Sequence, residues 1–381
     1  MMIKNTKRPG VFRFISIGDI HLGHSSTPTE MMIRNLDTYA VSESRLKDVD
    51  MLKITGDVFD KLLHNADDNV HRINRWITRL LFRCARLNVA VRIVEGTPSH
   101  DRLQSRFFIE QADNANIPVD IHYATTLSIE HNEKFGITIL YVPDKWRPDT
   151  TETLHEVKAL LKQHQLEKVD FAIMHGAFEY QLPDVVKEPT HDSQEYLDMV
   201  RYFILIGHVH HPTQKERILA AGSFDRICHN EEYPKGCYDV SVRSPEDYSI
   251  TFLENQGAKR YVTIDCRGMD VKQANVAIRK ALKDLPKGSA ARLHVEQHSP
   301  VVGDIEAIKQ QYPEIEWTPP KIEKSETSAK TTLDSVLKMD IDTFVPIDKT
   351  TIDQLVATEL DKHAPDEITK RRCQELLAEL T

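Results

Sequence analysis

The chain has 381 residues, 40% hydrophobic and 28% charged, the proportions of a soluble globular protein with room for one large domain and one or two smaller units. No apolar run is long enough to span a bilayer and no charged-then-apolar leader is evident, so a cytoplasmic setting without membrane contact is expected. Five cysteines (Cys84, Cys228, Cys237, Cys266, Cys373), odd in number and without a CxxC pair, argue against a disulfide framework and a zinc-thiolate site. The net charge of −9 lowers the expectation of a nucleic-acid partner, although acidic metal ligands and an acidic tail can hide a local basic face.

Strand and helix patterns alternate over the first 265 residues. Residues 12–17 read as a buried strand, 29–47 as a helix, 51–55 as a second strand, 67–87 as a long helix and 89–94 as a third strand. Two short apolar runs, 171–174 and 203–206, each stop at a His or a Gly-His. Strands that end in polar turns predict a layered α/β sheet with its site at the strand carboxyl ends. Between 215 and 265 the pattern turns to strands (218–221, 238–242, 248–253, 260–264), for which a second sheet is the simplest arrangement. Helix, strand and helix then follow at 271–282, 291–296 and 304–311, a small unit with apolar faces of its own. The expected organisation is a domain over 1–265, a small α/β unit over 266–318, a linker over 319–330 that opens on Pro319-Pro320, and a helical tail over 331–381. Apolar residues in the tail recur at helical spacing: Leu333, Val336 and Leu337; Ile352, Leu355 and Val356; Cys373, Leu376, Leu377 and Leu380.

Five short segments carry the chemistry. They are Gly18-Asp19-Ile20-His21, Gly56-Asp57-Val58-Phe59-Asp60, Gly96-Thr97-Pro98-Ser99-His100-Asp101, His175-Gly176 and Gly207-His208-Val209-His210. Residues two apart on an extended segment point the same way, so Asp19 and His21 can share one cation. Asp57 follows Gly56 at a strand end, where a carboxylate can bridge two ions. His208 and His210 repeat the same-side spacing, and His175 adds another imidazole. Oxygen and nitrogen donors without thiolates suit Mn²⁺, Fe or Zn²⁺ better than Ca²⁺. Alone, each segment reads most simply as a loop; together, in this order, they predict a bimetallic site.

The segments resemble those of the calcineurin-like metallophosphoesterase superfamily, ordered D-x-H, G-D, G-N-H-D/E, H and G-H-x-H. The form Gly56-Asp57-Val58-Phe59-Asp60, with a small α/β unit and tail after the core, looks more like the SbcD-type DNA-repair nuclease of bacteria, archaea and phages. The resemblance implies a four-layer α/β/β/α sandwich with a small α/β capping domain and a helical C-terminal tail. It further implies two divalent cations, foremost Mn²⁺, with Mg²⁺, Fe or Zn²⁺ as alternatives. Asp19, His21, Asp57 and His210 would hold the first, and Asp57, His175 and His208 the second. His100 would protonate the leaving oxygen or stabilise the phosphate. The family's Asn is missing from the third segment: Ser99 precedes His100, in a loop lengthened by Thr97-Pro98. Either Ser99 reaches the metal directly or through water, or the second site is looser, or the catalyst is damaged.

Arg72, Arg75, Arg79, Arg83 and Arg86 form a basic stripe on the long helix, opposite Ile73, Trp76, Ile77, Leu80 and Leu81. The stripe is either a solvated face paired with acids or a surface that tracks DNA phosphates. By resemblance, residues 63–87 and 103–113 would form a homodimer interface, and the tail would dock on an SbcC-type SMC-like ATPase. With no Walker-type loop in the chain, ATP dependence would come from that partner. The implied function is a Mn²⁺-dependent DNA exonuclease/endonuclease subunit in the bacterial or infected-host cytosol. A phosphoprotein or small-phosphoester phosphatase is one alternative, its phosphoprotein form weakened by the lack of a D-R-G continuation after Gly56-Asp57; a scaffold that binds DNA ends without cutting is another.

Overall fold

The computed structural model describes residues 7–64, 67–183 and 185–323; the predicted tail and most of the predicted linker lie outside these residues. Four strands open a first sheet: β1 (Phe12–Ile17), β2 (Met51–Ile54), β3 (Ala90–Val94) and β4 (Ile121–Ala124), all parallel. A second six-stranded sheet takes β5 (Ser128–Asn132), β6 (Ile137–Val142), β7 (Val169–Gly176), β8 (Val200–His208), β9 (Thr213–Lys215) and β10 (Ile218–Ala220). The chain then returns to the first sheet, where β11 (Gly236–Val242) lies antiparallel to β1 and β12 (Tyr248–Glu254) forms the edge.

This pairing corrects the sequence expectation, which gave the second sheet to strands between 215 and 265. Its central strands come from 137–208 instead, and β11 and β12 complete the first sheet. Strand character is a local property, whereas the choice of partner is settled by distant residues.

The alternation along β1 shows how the layers form. Phe12 and Phe14 join the apolar cluster between the sheets, with Phe171, Phe203 and Val240, while Ile15 and Ile17 turn to the other face. There they meet α3 (Asp68–Arg86) and α4 (Arg106–Asn114), reached after the short helices α1 (Thr29–Asn35) and α2 (Glu43–Leu46). Trp76, Ile77, Leu80 and Leu81 of α3 supply the apolar face that the sequence predicts. On the outer face of the second sheet, α5 (Thr150–Gln163) and α6 (Ser193–Met199) cover Val142, Met174 and Ile204. The result is an α/β sandwich in which both central sheets are covered on two sides, as parallel strands require. The predicted helix over 29–47 is interrupted by a π-helical turn at Leu36–Ala40 and restarts where the Ser42 hydroxyl accepts from the Arg45 N–H.

A third sheet contains β13 (Tyr261–Asp265), β14 (Ala290–Glu296), β15 (Glu316–Trp317) and β16 (Lys321–Glu323), all parallel. With α7 (Val271–Leu282) and α8 (Val301–Gln311) it encloses a separate core of Ile264, Ile278, Leu293 and Ile305. This unit includes 261–265, which the sequence grouped with the first domain, and 321–323, which it placed in the linker. Polar contacts join it to the sandwich, among them Arg292 Nη2 to Asn230 Oδ1 (2.8 Å) and Thr27 Oγ1 to Tyr261 Oη (3.1 Å). No helix among the described residues is long and apolar enough to cross a membrane.

Candidate metal centre

Asp19 and His21 follow β1, Asp57 follows β2, and His175 and His208 lie at the ends of β7 and β8. Each pair of strands is parallel, so all these residues leave their sheets at carboxyl ends, and the two sheets bring those ends together. The backbone is unusual here. Asp19, His21, Asp57 and His208 all have positive φ (47°, 54°, 47° and 106°), a region that costs non-glycine residues energy and is retained where the surroundings enforce it. The motif glycines allow the close approach. A Cβ on Gly56 would lie 2.4 Å from His175 Nδ1, and one on Gly96 would lie 2.2 Å from the Asp57 nitrogen.

Three groups of donor atoms result, each with its atoms within 4.8 Å of one another: Asp19, His21 and His210; Asp57, His175 and His208; and His21, Asp60 and His100. In the first, His21 Nε2 and His210 Nε2 face each other at 3.0 Å. Asp19 Oδ1 accepts from the His208 N–H (2.8 Å), which ties the first group to the second. In the second, His175 Nε2 lies 3.3 Å from Asp57 Oδ2, while its Nδ1 contacts the Thr55 carbonyl at 2.6 Å. His100 Nδ1 contacts the Asp60 carbonyl at 2.6 Å, and its ring stands edge-on to His21 with centroids 5.0 Å apart.

The structure therefore brings Asp19, His21, Asp57, His100, His175, His208 and His210 together. Ser99 is not among them: it is exposed, and its carbonyl accepts from Arg102 Nε. The hydroxyl that enters the second group is that of buried Thr97. Thr97 Oγ1 lies 3.1 Å from Asp57 Oδ2, 3.2 Å from His175 Nε2 and 3.3 Å from His208 Nδ1, and the Thr97 N–H donates to Asp57 Oδ1. Counting back from His100 selects Ser99, whereas counting forward from Gly96 selects Thr97; the two inserted residues Pro98 and Ser99 bulge into solvent.

Residues to which the sequence assigned no role complete the surroundings. Glu231 Oε1 meets His210 Nδ1 at 2.7 Å, and Glu188 Oε1 lies 3.2 Å from His208 Nε2. Asp60 Oδ1 lies 3.4 Å from His21 Nδ1. Asp101 accepts from the Phe59 and Gly96 N–H groups, both at 3.0 Å, and so pins the second and third segments to each other.

Burial and charge shift the titrations of these groups. Burial alone would raise Asp57, but the charges of His175 and His21 and the Thr97 N–H hold it well below the usual carboxylate range. Burial likewise opposes protonation of His175, and the adjacent Asp57 carboxylate outweighs it, so its pKa is raised. Burial, reinforced by the Asp57 charge, pushes Asp101 up to about 8. Glu231 is brought down to about 2 against the effect of burial, by its bond to His210 and by Lys235.

These donors fit a divalent cation. Asp19 Oδ2 is buried and has no hydrogen-bond partner among the described residues. His210 has its Nδ1 engaged by Glu231, so its Nε2 is the nitrogen turned toward His21. An unpartnered carboxylate oxygen beside two converging imidazoles is a donor set that a first-row transition metal would complete.

The basic stripe is largely paired. Arg72 meets Glu30 at 2.7 Å, Arg79 and Arg83 both meet Asp37 (3.4 and 3.0 Å), and Arg86 meets Glu43 at 2.7 Å. Arg75 is exposed.

No family model matches the chain, and no curated protein matches it. Among solved structures, TT1561 of Thermus thermophilus is similar at 10% identity with a TM-score of 0.37, over 64% of this chain and 99% of that one. A second crystal structure shows the same identity and coverage with a TM-score of 0.35.

Proposed function

We propose that this chain is a metal-dependent phosphodiesterase of the SbcD type, built on a four-layer metallophosphoesterase sandwich, that cuts DNA during end processing and recombination. The observation that carries the reading is the convergence of Asp19, His21, Asp57, His175, His208 and His210 from four strand ends into two linked donor groups. When bound there, two divalent cations such as Mn²⁺ supply Lewis-acid chemistry and charge neutralisation to phosphoester hydrolysis. The protein's own part is to hold the donors and to move a proton. His100 donates its Nδ1–H to the Asp60 carbonyl, and as an imidazolium it would carry a second proton, on Nε2, to give to the departing oxygen. Thr97 and Asp101 hold the loop that carries His100 against Asp57 and Phe59. The same reading gives the chain a homodimeric state and an SMC-like ATPase partner bound through residues 331–381.

The test is cleavage of labelled duplex and hairpin DNA with Mn²⁺, beside His100→Ala. Cleavage lost in the variant, with DNA binding kept, is the expected result. Turnover confined to a small chromogenic ester would move the chain to a phosphatase, and bound but uncut DNA would make it a scaffold.

A further inference from the structure

Where the third-sheet unit meets the sandwich lies a cleft of about 520 Å³, and none of the metal-centre donors lines it. The sandwich contributes α1 and the loop before β11, the small unit contributes the loop between α7 and β14, and the stretch leading into β13 joins the two. Five cations line the cleft, Arg34, Arg226, Lys259, Arg260 and Lys287, against two carboxylates, Glu232 and Asp284. In a chain of net charge −9 that is a local reversal of sign.

The partners of these cations are few. Lys259 pairs with Glu316 and also donates to the Ser26 carbonyl at 2.6 Å. The other four have no ion pair among the described residues, whereas on α3 four of the five stripe arginines meet a carboxylate. Arg226 is buried, and its guanidinium donates to the carbonyls of Glu231 and Tyr233 (2.9 Å each) and of Ala258 (3.4 Å). Carbonyl oxygens satisfy its N–H groups without neutralising its charge, and a buried charge lacking a counter-ion is costly. Burial, followed by the charge of Arg260, holds the Arg226 pKa below its ordinary value, so these two guanidinium groups repel each other across the cleft wall.

An anion shared by these groups would relieve that repulsion, and guanidinium forks match phosphate oxygens in pairs. The cleft also has an apolar side, made by half-buried Met31, Val262 and Leu285. Its volume is that of a site for an organic ligand, and inorganic phosphate would leave most of it empty. We propose that the cleft binds a nucleoside diphosphate, with its phosphates held by Arg34, Arg260 and Lys287 and its base against Met31 and Leu285. The site goes beyond the metal centre and does not depend on it. Because Arg34 belongs to the sandwich and Lys287 to the small unit, the ligand ties the two together.

Calorimetric titration of the full chain with ADP tests this, with a chelator present so that no cation at the strand ends competes for phosphate. One ADP should bind per chain, and pyrophosphate about tenfold more weakly for want of the apolar contact. Arg34→Gln and Arg260→Gln, at exposed positions, should keep the thermal midpoint of the free protein. Each should weaken ADP binding about 10- to 100-fold and reduce the rise in midpoint that ADP gives wild type. Arg75→Gln on α3, also exposed but outside the cleft, should leave ADP affinity unchanged. No binding of ADP by wild type, pyrophosphate as tight as ADP, or an equal loss in Arg75→Gln overturns the proposal. A 5′-phosphorylated single-stranded oligonucleotide that binds through Arg34 and Arg260 where ADP does not would overturn it too, and make the cleft a surface for strands.

Discussion

Two buried regions of this molecule keep a polar group without a hydrogen-bond partner among the described residues, and they do so in opposite surroundings. Asp19 Oδ2 lies at the strand ends, with His21 and His210 donors of the same group close by. Lys53 Nζ lies between the sheets, 3.3 Å from the centre of the Phe171 ring and 4.1 Å from that of Phe14, on a residue with no exposed surface. Around Asp19 several donors converge, so an added cation satisfies all of them together. Around Lys53 there are ring faces, which offer cation–π attraction but no lone pair, and burial pushes the pKa of the amine well below its ordinary value. An unpartnered buried atom thus points to a ligand where its neighbours share its deficit, and to a cost of folding where they do not.

The largest effect should come from the converging region. Asp19→Asn keeps the shape and the Oδ1 contact to the His208 N–H but removes the charge. Several kcal/mol of transition-state stabilisation should be lost, a fall of about 10³-fold in Mn²⁺-dependent DNA cleavage. Loss of one bound Mn²⁺ per chain should accompany it. Full activity and two bound ions in the amide variant would break the contrast, because the orphan oxygen would then have no ligand to answer to.

Lys53→Met tests the other side and should stabilise the protein by about 2 kcal/mol, since a desolvated amine is replaced by an apolar chain of similar length. The pH dependence has a definite sign. Burial lowers the folded-state pKa of Lys53 well below its ordinary value of 10.5, against weaker opposing effects from Asp170 and Glu130. Between those two values the unfolded chain binds more protons than the folded one, so stability rises with pH across that window. Denaturant unfolding at a series of pH values should show this slope in wild type and a smaller one in Lys53→Met. Equal slopes would mean that Lys53 keeps its proton in the core.

The candidate donor set was legible in the sequence because its members lie in short segments that each carry a glycine at the end of an apolar run, and that local pattern survives folding. Thr97 was not, because two residues inserted before His100 shift the count, and only the backbone shows which side of the insertion faces Asp57. Glu188 and Glu231 lie in loops, Glu231 followed by Glu232, with no metal-ligand spacing to mark them. The strands of the second sheet were missed in part for a related reason. β5 is Ser-Ile-Glu-His-Asn, an edge strand with weak alternation that is recognisable only from its pairing with β6.

Thr97 offers the next test, of a partnered group at the border of the converging region. Thr97→Val keeps the volume and removes the hydroxyl that lies near Asp57, His175 and His208. Affinity for the second Mn²⁺ should fall about tenfold, the lower end for a group of this kind. Ser99→Asn, at an exposed position, should change neither metal site. The reverse pattern would return the role to Ser99.

The smallest effect is expected where charges are both partnered and wet. Arg72 and Glu30 lie 2.7 Å apart, with side chains 53% and 75% exposed. Water screens their attraction, and holding two long side chains in one geometry costs entropy. Arg72→Ala should therefore change unfolding free energy by no more than about 1 kcal/mol, and less at high salt. The same pairing bears on DNA. A guanidinium already engaged by a carboxylate gives up that contact when it meets a phosphate, whereas exposed Arg75 has no ion pair among the described residues to give up. Arg75→Ala should reduce the salt dependence of DNA binding by about one phosphate contact, and Arg72→Ala by less. Equal reductions in the two variants would show that the Arg72–Glu30 pair opens freely for DNA, and that the helix presents its whole basic stripe.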